Sequence, residues 1–303
     1  MGKLLKITVN IAIFLVVIGF IVYIALSVNK EDTLFIQTNQ ETSFVSRYEQ
    51  DISFKLPHEI NCFELYDGKF FISAGQSVYI YNTAGTQLSS FSVKNDVRDI
   101  TVENERIYVL YPTLIEVYDE NGQLTLSWES CSDLSDYCSF ALAGDYVFVT
   151  DVENSNICQY TKDGNFRRFI QSPQGFIIPS YSFDIDSRGD TIYCVNSGRH
   201  LIETYTLDGH FIASFGGAGT SGGFFAGCCN PSYISFTPEG TLLTSEKGNP
   251  RICSFEHNGN FKEVLLNSRL MGGGSVAYKV KADENRLFVA GKNKMTVYGM
   301  KHI

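Results

Sequence analysis

The 303-residue sequence lacks the motifs on which the common hydrolytic and nucleotide-binding sites depend. It contains no Gly-x-Ser-x-Gly elbow, no phosphate-binding glycine loop and no His-Glu-x-x-His pattern. A histidine-based zinc or copper site is also not expected, because no two of its five histidines stand at metal-ligand spacing: His58, His200, His210, His257 and His302. No catalytic residue can be named, so the sequence favours a binding role over catalysis.

Basic clusters are equally scarce. The formal net charge of the chain is −9, and it becomes −12 when the three lysines ahead of residue 31 are left out. The one adjacent basic pair, Arg167–Arg168, follows a predicted hairpin turn, where a solvated edge is the expected setting. Proteins that bind nucleic acids usually carry a basic patch. The sequence therefore predicts no nucleic-acid partner.

A single long apolar run lies near the N-terminus. Residues 7–26 carry no charge and are enough to cross a bilayer as a helix. Lys3 and Lys6 precede the run, whereas acidic residues follow Lys30 at once, so the positive-inside rule places the N-terminus in the cytoplasm. The prediction is a single-pass cell-membrane protein with its folded part on the extracytoplasmic side: cytoplasmic residues 1–6, a transmembrane signal anchor at 7–26 and a polar stalk at 27–41.

The alternative for the same run is a cleaved signal peptide. Ala25-Leu26-Ser27 resembles a small-x-small cleavage site, although the apolar run is long for a signal peptide. No cysteine follows the run closely, which argues against a lipoprotein anchor. The retained anchor is the interpretation we carry forward.

The rest of the chain is repetitive. An aromatic residue followed four positions later by glycine occurs five times, and a sixth aromatic follows in register, with spacings of 37, 42, 45, 50 and 43 residues: Tyr81/Gly85, Tyr118/Gly122, Tyr160/Gly164, Tyr205/Gly209, Phe255/Gly259 and Tyr298. Such a period is typical of four-stranded propeller blades, with the aromatic in the third strand and the glycine in the turn to the fourth. Six copies predict an all-β, six-bladed β-propeller over residues 42–303.

The sixth copy is short. Residues 278–301 have room for only three strands, whereas residues 42–56 show strand-like alternation before the first copy. We therefore expect the N-terminal strand, within 42–56, to complete the last blade. This arrangement would close the ring of blades.

The fifth copy carries the most specific pattern, between Gly216 and Phe261. A glycine-rich loop at 216–227 leads into three short apolar runs separated by turns, and it resembles the NHL repeat at Phe225, Pro231, Gly240, Glu246, Gly248, Asn249, Arg251, Ile252 and Phe255. Copies three and four keep parts of the pattern at Asp151, Asn154, Ile157, Gly198 and Ile202. The resemblance implies an NHL-type propeller. Such a propeller presents its inter-blade loops on a rigid frame.

The fifth copy departs from that family at Cys228-Cys229, in a Cys-Cys-Asn-Pro insertion. Three interpretations stay open: a vicinal disulfide, a pair of ligands for a soft metal or an iron–sulfur cluster, and a pair in which one thiol is buried while the other is bonded to Cys131 or Cys138. The glycine-rich approach slightly favours a functional pair, because backbone amides can come close to a ligand there.

The other six cysteines have simpler interpretations. Cys131 and Cys138 flank one inter-blade loop, and an extracytoplasmic location permits a disulfide between them. The remaining four lie in or beside predicted strands, where each is expected to be a small buried apolar side chain: Cys62, Cys158, Cys194 and Cys253.

A binding patch is predicted where the inter-blade loops meet. It groups the insertion with the loop after the fifth blade's second strand, and with matching loops in copies three and four: Cys228, Cys229, Asn230, Glu246, Lys247, Asp151 and Asn196. Lys247 would lower a thiol pKa. In the alternative interpretation Glu246 caps its turn and Lys247 is solvated. Asp151 and Asn196 would extend a polar ring around the mouth of the channel.

Two functional hypotheses follow from these residues. The first is a membrane-tethered, extracytoplasmic propeller that binds protein partners or a ligand through its loop face, as an assembly module. The second is a redox-linked protein in which Cys228 and Cys229 bind a metal or cluster, or cycle between dithiol and disulfide, serving a membrane electron-transfer complex. The sequence names no specific cofactor.

Overall fold

The structure of the protein is a computed structural model that describes residues 13–20, 22, 44–274 and 276–301. Residues 13–20 and 22 are helical and their side chains are exposed. Within the described residues, no helix has both the length and the apolar character needed to cross a membrane. The predicted membrane span at 7–26 is described only at those positions, and the predicted cytoplasmic residues 1–6 and stalk 27–41 lie outside the described residues.

The six-bladed propeller predicted from the repeat is confirmed. The strands form six four-stranded antiparallel sheets, in chain order β1 (Tyr48–Lys55), β2 (Ile60–Tyr66), β3 (Lys69–Ala74), β4 (Ser77–Asn82), β5 (Gln87–Ser92), β6 (Asp99–Glu103), β7 (Arg106–Tyr111), β8 (Leu114–Tyr118), β9 (Leu124–Glu129), β10 (Tyr137–Ala143), β11 (Tyr146–Asp151), β12 (Asn156–Thr161), β13 (Phe166–Ile170), β14 (Ile185–Arg188), β15 (Thr191–Asn196), β16 (Leu201–Thr206), β17 (Phe211–Gly216), β18 (Tyr233–Phe236), β19 (Leu242–Glu246), β20 (Arg251–Phe255), β21 (Phe261–Leu266), β22 (Lys279–Ala282), β23 (Arg286–Ala290) and β24 (Lys294–Met300). Helix α1 (Ser268–Met271) and a 3₁₀ turn (Ser197–Arg199) lie in the connections.

Blades 1 to 5 each use four consecutive strands, from β2–β5 to β18–β21, and blade 6 has the strand order β22-β23-β24-β1. Strand β1 pairs antiparallel with β24, so that Tyr48 lies opposite Met300 and Lys55 lies opposite Lys294. The outer strand of the last blade therefore comes from the start of the propeller sequence. This pairing closes the ring, as in other propellers that leave only short edges.

The hydrophobic core is divided among the blade interfaces. Among the described residues there are six buried clusters, and each contains residues of two neighbouring blades, including the pair formed by blades 6 and 1. Phe70 of blade 1 packs edge-on against Phe288 of blade 6, with ring centroids 4.9 Å apart. Because burial of apolar surface is the main stabilising term in folding, the ring is held together between blades as much as within them.

The glycine of each repeat explains how successive blades dock. It lies at positive φ in the turn between the third and fourth strands, and a Cβ there would collide with an apolar side chain on the outer strand of the preceding blade: Gly85 with Phe54, Gly122 with Phe91, Gly164 with Trp128, Gly209 with Ile170 and Gly259 with Phe215. The repeat thus records a contact between blades in addition to a turn.

Replacing Gly164 by alanine tests this contact. The new Cβ would lie 2.8 Å from the Trp128 ring, in addition to the strain of φ +86°. Gly68→Ala is the matched control, because Gly68 has φ +67° and open space where its Cβ would be. Overpacking at a tight site costs about 1–3 kcal/mol, so Gly164→Ala should lower the free energy of unfolding by that much more than Gly68→Ala. Equal losses in urea titrations would show that only the turn matters.

The two faces of the disc differ in construction. One face, here called the loop face, carries the second-to-third-strand turns and the inter-blade connections 56–59, 93–98, 130–136, 171–184, 217–232 and, in the last connection, 267–274 and 276–278. The opposite face carries the first-to-second and third-to-fourth-strand hairpin turns. The innermost strands β2, β6, β10, β14, β18 and β22 surround the axis.

Candidate functional site

The site on the loop face is built around an ion pair in blade 5. Glu246 ends β19 and Arg251 begins β20, and their Oε1 and Nε atoms lie 2.6 Å apart with both side chains largely buried. Glu246 Oε2 also accepts the backbone N–H of Ala226 at 3.2 Å, and Arg251 Nη2 donates to the Phe224 carbonyl at 2.7 Å. Burial raises the pKa of Glu246 in spite of the neighbouring Arg251 charge. The pair therefore ties the glycine-rich connection to the blade.

Asp151 and Asn196 occupy the matching positions at the ends of β11 and β15. Asp151 Oδ1 accepts the backbone N–H of Asp136 at 3.1 Å, and Asn196 Oδ1 accepts that of Ile177 at 3.0 Å. Both side chains are fully buried. In blades 3, 4 and 5, the last residue of the second strand thus holds the connection that enters its own blade. These buried side chains hold the connections of the loop face in place through hydrogen bonds to the backbone. Their direct contact with a ligand stays a prediction.

Cys228, Cys229, Asn230 and Lys247 are brought together. The Asn230 side chain donates to the carbonyls of Ala226 at 2.6 Å and Lys247 at 3.0 Å, and its Oδ1 accepts the Lys247 N–H at 2.9 Å. One amide therefore fixes the Cys-Cys segment against the turn after β19. The two Sγ atoms lie 2.9 Å apart, with Cys228 exposed and Cys229 buried.

Lys247 links this segment to the connection that enters blade 4. Its Nζ donates to Ser180 Oγ, and to Ser182 Oγ at 3.2 Å. Burial works against a Cys229 thiolate, but hydrogen bonds from Cys228 and Ser180 and the Lys247 charge together lower the pKa of Cys229. The hydrogen bond with Cys229, aided by burial, raises the pKa of Cys228. Of the two sulfurs, Cys229 is therefore the one at which the thiolate form is favoured.

All eight cysteines are free thiols in the structure. The predicted partners Cys131 and Cys138 each have another neighbour: Cys131 Sγ lies 3.6 Å from Cys158 Sγ, and Cys138 Sγ donates to the Tyr181 carbonyl at 3.0 Å. Across the described ranges, no three His, Cys, Asp or Glu side chains are grouped so as to hold a metal ion. Metal binding by Cys228 and Cys229 therefore stays a prediction without a third such ligand among those residues.

Large apolar side chains project from the loop face, a feature that the sequence patterns did not indicate. They belong to connections of blades 3 to 6 and are between 43% and 70% exposed: Leu134, Ile177, Tyr181, Phe224 and Val276. Within the described residues, the hairpin turns of the opposite face carry no exposed large apolar side chain. Among the described turns and inter-blade connections, the exposed large apolar side chains therefore lie on the loop face.

Three inter-blade connections are joined by polar contacts around Tyr181. The Tyr181 hydroxyl donates to Asp136 Oδ2 at 2.8 Å, and the Arg98 guanidinium lies over its ring, 5.4 Å from the centroid. Arg98 and Asp136 also form an ion pair at 3.3 Å. The connections entering blades 2, 3 and 4 are thus linked into one surface, which Lys247 extends to blade 5.

A second polar region lies on the axis, where the innermost strands enclose a cavity of about 170 Å³. Its charged lining includes two ion pairs: Lys279 Nζ lies 2.7 Å from Asp99 Oδ1, and Lys281 Nζ lies 2.8 Å from Glu64 Oε2. Asp184 and Asp186 also line it, and burial raises the pKa of each carboxyl to about 6. The axis is therefore a charged joint between blades 1, 2, 4 and 6.

Ser139 connects two of these carboxyl groups. Its Oγ lies 2.6 Å from Asp99 Oδ2 and 2.7 Å from Asp184 Oδ1. A hydroxyl carries one hydrogen, so only one of the two contacts can be donated by Ser139. Asp99 is paired with Lys279, whereas burial raises the pKa of Asp184. Of these two carboxyl groups, protonation is favoured at Asp184, and a protonated Asp184 donates to Ser139 Oγ, which leaves the Ser139 hydroxyl to donate to Asp99.

The sequence held a signal for this joint. Lys279 and Lys281 flank Val280, and Asp184 and Asp186 flank Ile185, so charge alternates with apolar character along the innermost strands. In a strand, alternate side chains face opposite sides. Charges at period two in the first strand of a blade therefore mark the axis.

Comparisons with known proteins identify the fold alone. No protein-family profile matches the sequence, and no curated protein matches it. A catalytically inactive variant of virginiamycin B lyase from Staphylococcus aureus, solved with quinupristin, superimposes with a TM-score of 0.60 at 14% identity, covering 84% of this chain and 100% of that chain. A protein of unknown function from Bacteroides thetaiotaomicron gives 0.59 at 11% identity, covering 84% and 74%. The Pan2 WD40 domain of Neurospora crassa gives 0.58 at 8% identity, covering 86% and 98%.

Proposed function

We propose that the chain is a single-pass membrane protein whose propeller lies on the extracytoplasmic side and binds a protein partner through its loop face. The observation that carries this proposal is the set of exposed apolar side chains on the connections of blades 3 to 6. Apolar surface is stabilised when it leaves water, by roughly 25 cal/mol per Å². Exposed apolar side chains that collect on one face of a protein are a mark of protein-binding sites.

The frame beneath these side chains suits docking. Asp151, Asn196 and Glu246 hold the connections from below, and Tyr181 is fixed by Asp136 and Arg98. A surface fixed before binding loses less conformational entropy on association. Tyrosine is among the residues that contribute most to binding energy at interfaces. Tyr181 is thus the expected centre of the interface.

Photo-crosslinking in the native membrane tests the proposal. A photoreactive amino acid at Leu134 or Phe224 should capture the same partner, while equally exposed positions on outer strands should not. Leu88 on β5 and Leu124 on β9 are the matched controls, at 51% and 54% exposure. Tyr181→Ala should weaken capture by about tenfold, because loss of an interface hot spot costs 1–2 kcal/mol or more. Capture from the control positions alone would refute the loop face as the binding surface.

The NHL-type assignment is part of the same proposal. The Glu246–Arg251 ion pair joins two positions of the fifth-copy motif, and the second-strand end serves the same purpose in copies three to five. These contacts give the motif a structural reason. They explain why an acidic or amide side chain recurs at that position.

The membrane anchor is tested separately. The charge-free run 7–26 supports a retained span, so the full chain should stay with membranes after alkaline extraction and its propeller should be cleaved only by externally added protease. A mature chain beginning near Ser27 would instead support the cleaved signal peptide.

A further inference from the structure

The sulfur atoms of Cys228 and Cys229 lie closer together than those of Cys131 and Cys158. They lie 2.9 Å apart, whereas Cys131 and Cys158 lie 3.6 Å apart. A disulfide bond is about 2.05 Å long. The adjacent pair therefore needs a further approach of under about 1 Å to form a bond.

Access differs between the two thiols. Cys228 is the one cysteine of the eight that is exposed, while Cys229 is only 4% exposed. The Asn230 side chain donates hydrogen bonds to two backbone carbonyls, that of Ala226, ahead of the two cysteines, and that of Lys247, in the turn after β19. An external reagent can therefore reach Cys228 first, with Cys229 already placed behind it.

We propose that Cys228 and Cys229 form a thiol–disulfide exchange site that reacts with small-molecule disulfides. Cys228 loses its proton to Cys229 as its sulfur attacks the disulfide RSSR, which gives a mixed disulfide at Cys228 and releases RS⁻. Cys229, deprotonated again, attacks the Cys228 sulfur, forms the vicinal disulfide and expels a second RS⁻. One RS⁻ takes up the single proton of the thiol–thiolate pair and the other takes a proton from water, so RSSR is reduced to two RSH as the cysteine pair is oxidised.

Lys247 supports the step through its charge. Its ammonium group is held beside Ser180 and Ser182 and favours the thiolate form of the pair. The thiolate is the nucleophile in such exchange, so the charge increases the reactive fraction. A vicinal disulfide closes a strained eight-membered ring, and strained disulfides are readily reduced again. The site is therefore suited to reversible oxidation, and it requires no bound partner on the loop face.

The experiment uses the full chain in detergent, treated with oxidised glutathione, followed by alkylation of free thiols and mass spectrometry of the peptide that contains both cysteines. The wild type should lose two hydrogens at Cys228–Cys229 and regain them with dithiothreitol. Cys229→Ser should stop at a glutathione adduct on Cys228, whereas Cys228→Ser should form no adduct at Cys229. Lys247→Met should slow adduct formation in the Cys229→Ser background.

Cys131 and Cys158 provide the internal control: they should stay unoxidised and be alkylated once the protein is denatured, since Cys158 is fully buried and the two sulfurs lie farther apart. Unchanged thiols at Cys228 and Cys229 would overturn the proposal. So would equal oxidation of the control pair, or a tightly bound metal that blocks alkylation of both vicinal thiols. None of these outcomes bears on partner capture at Leu134 or Phe224, so the two proposals can fail separately.

Discussion

Replacing Arg251 by methionine is expected to lower the free energy of unfolding by about 3–5 kcal/mol, because removing one partner of a buried ion pair leaves an uncompensated charge. Glu246 is almost fully buried and would keep the Ala226 N–H and the weakly donating Cys253 thiol, 4.0 Å from Oε1, as its hydrogen-bond partners. The Phe224 carbonyl would lose its donor as well. Urea titration of the full chain in detergent measures the loss.

Two further variants separate charge from packing. Arg286→Met removes a pair with Asp283 whose side chains are 35% and 30% exposed, so its cost should stay below about 1 kcal/mol. The double variant Glu246→Gln with Arg251→Met should regain much of the stability, because glutamine can still accept the Ala226 N–H without a buried charge. A double variant as unstable as Arg251→Met would show that the guanidinium contacts with the connection dominate instead.

Asp184→Asn is expected to stabilise the protein at neutral and alkaline pH. Burial raises the pKa of Asp184 from 3.8 to about 6, so the folded state favours the protonated carboxyl. Its contribution is complete below the unfolded pKa and is lost as the pH rises through the folded pKa. The variant should therefore match the wild type near pH 4 and exceed it by roughly 3 kcal/mol near pH 8, at 1.36 kcal/mol per pKa unit.

The hydrogen-bond chain supports this sign. Asparagine at position 184 can donate to Ser139 Oγ and accept the Ile234 N–H, so Ser139 remains free to donate to Asp99. Asp99→Asn should have the opposite effect, since Lys279 would lose its buried partner at a cost of about 3–5 kcal/mol. A loss of stability in Asp184→Asn at pH 8 would show that the charged form of Asp184 stabilises the folded protein.

The repeat could be predicted from the sequence because each glycine is required locally. A turn with positive φ and a Cβ collision with the preceding blade leave no alternative at Gly164 or Gly259. The six blades therefore follow from the spacing of such positions. Cys228, Cys229 and Asn230 are consecutive in the sequence, so their proximity could also be predicted. Lys247 could be placed beside them because it lies in the turn after the second strand of the same copy.

The polar joint on the axis could not be predicted from the sequence in the same way. Asp99, Ser139 and Asp184 lie in different blades and meet only because the ring closes, so no local pattern pairs them. The neighbours of the Cys131 and Cys138 thiols could not be predicted from the sequence either. Cys131 faces Cys158 across blade 3 instead of Cys138 along the chain, because strand packing and not sequence distance decides which sulfurs approach.

Because β1 pairs with β24, the last blade can be completed only after the whole propeller has been synthesised. Strand β1 leaves the ribosome before the other strands of the propeller, and its partner is the last strand to be made. At about 5–20 residues per second, the chain between them takes roughly 10–50 s to translate. During that time β1 is an unpaired strand that could associate with other nascent chains. Strand β1 carries charged side chains at Glu49, Asp51 and Lys55. Charges on an unpaired strand oppose its association with other chains, so they protect β1 from aggregation until β24 has been synthesised.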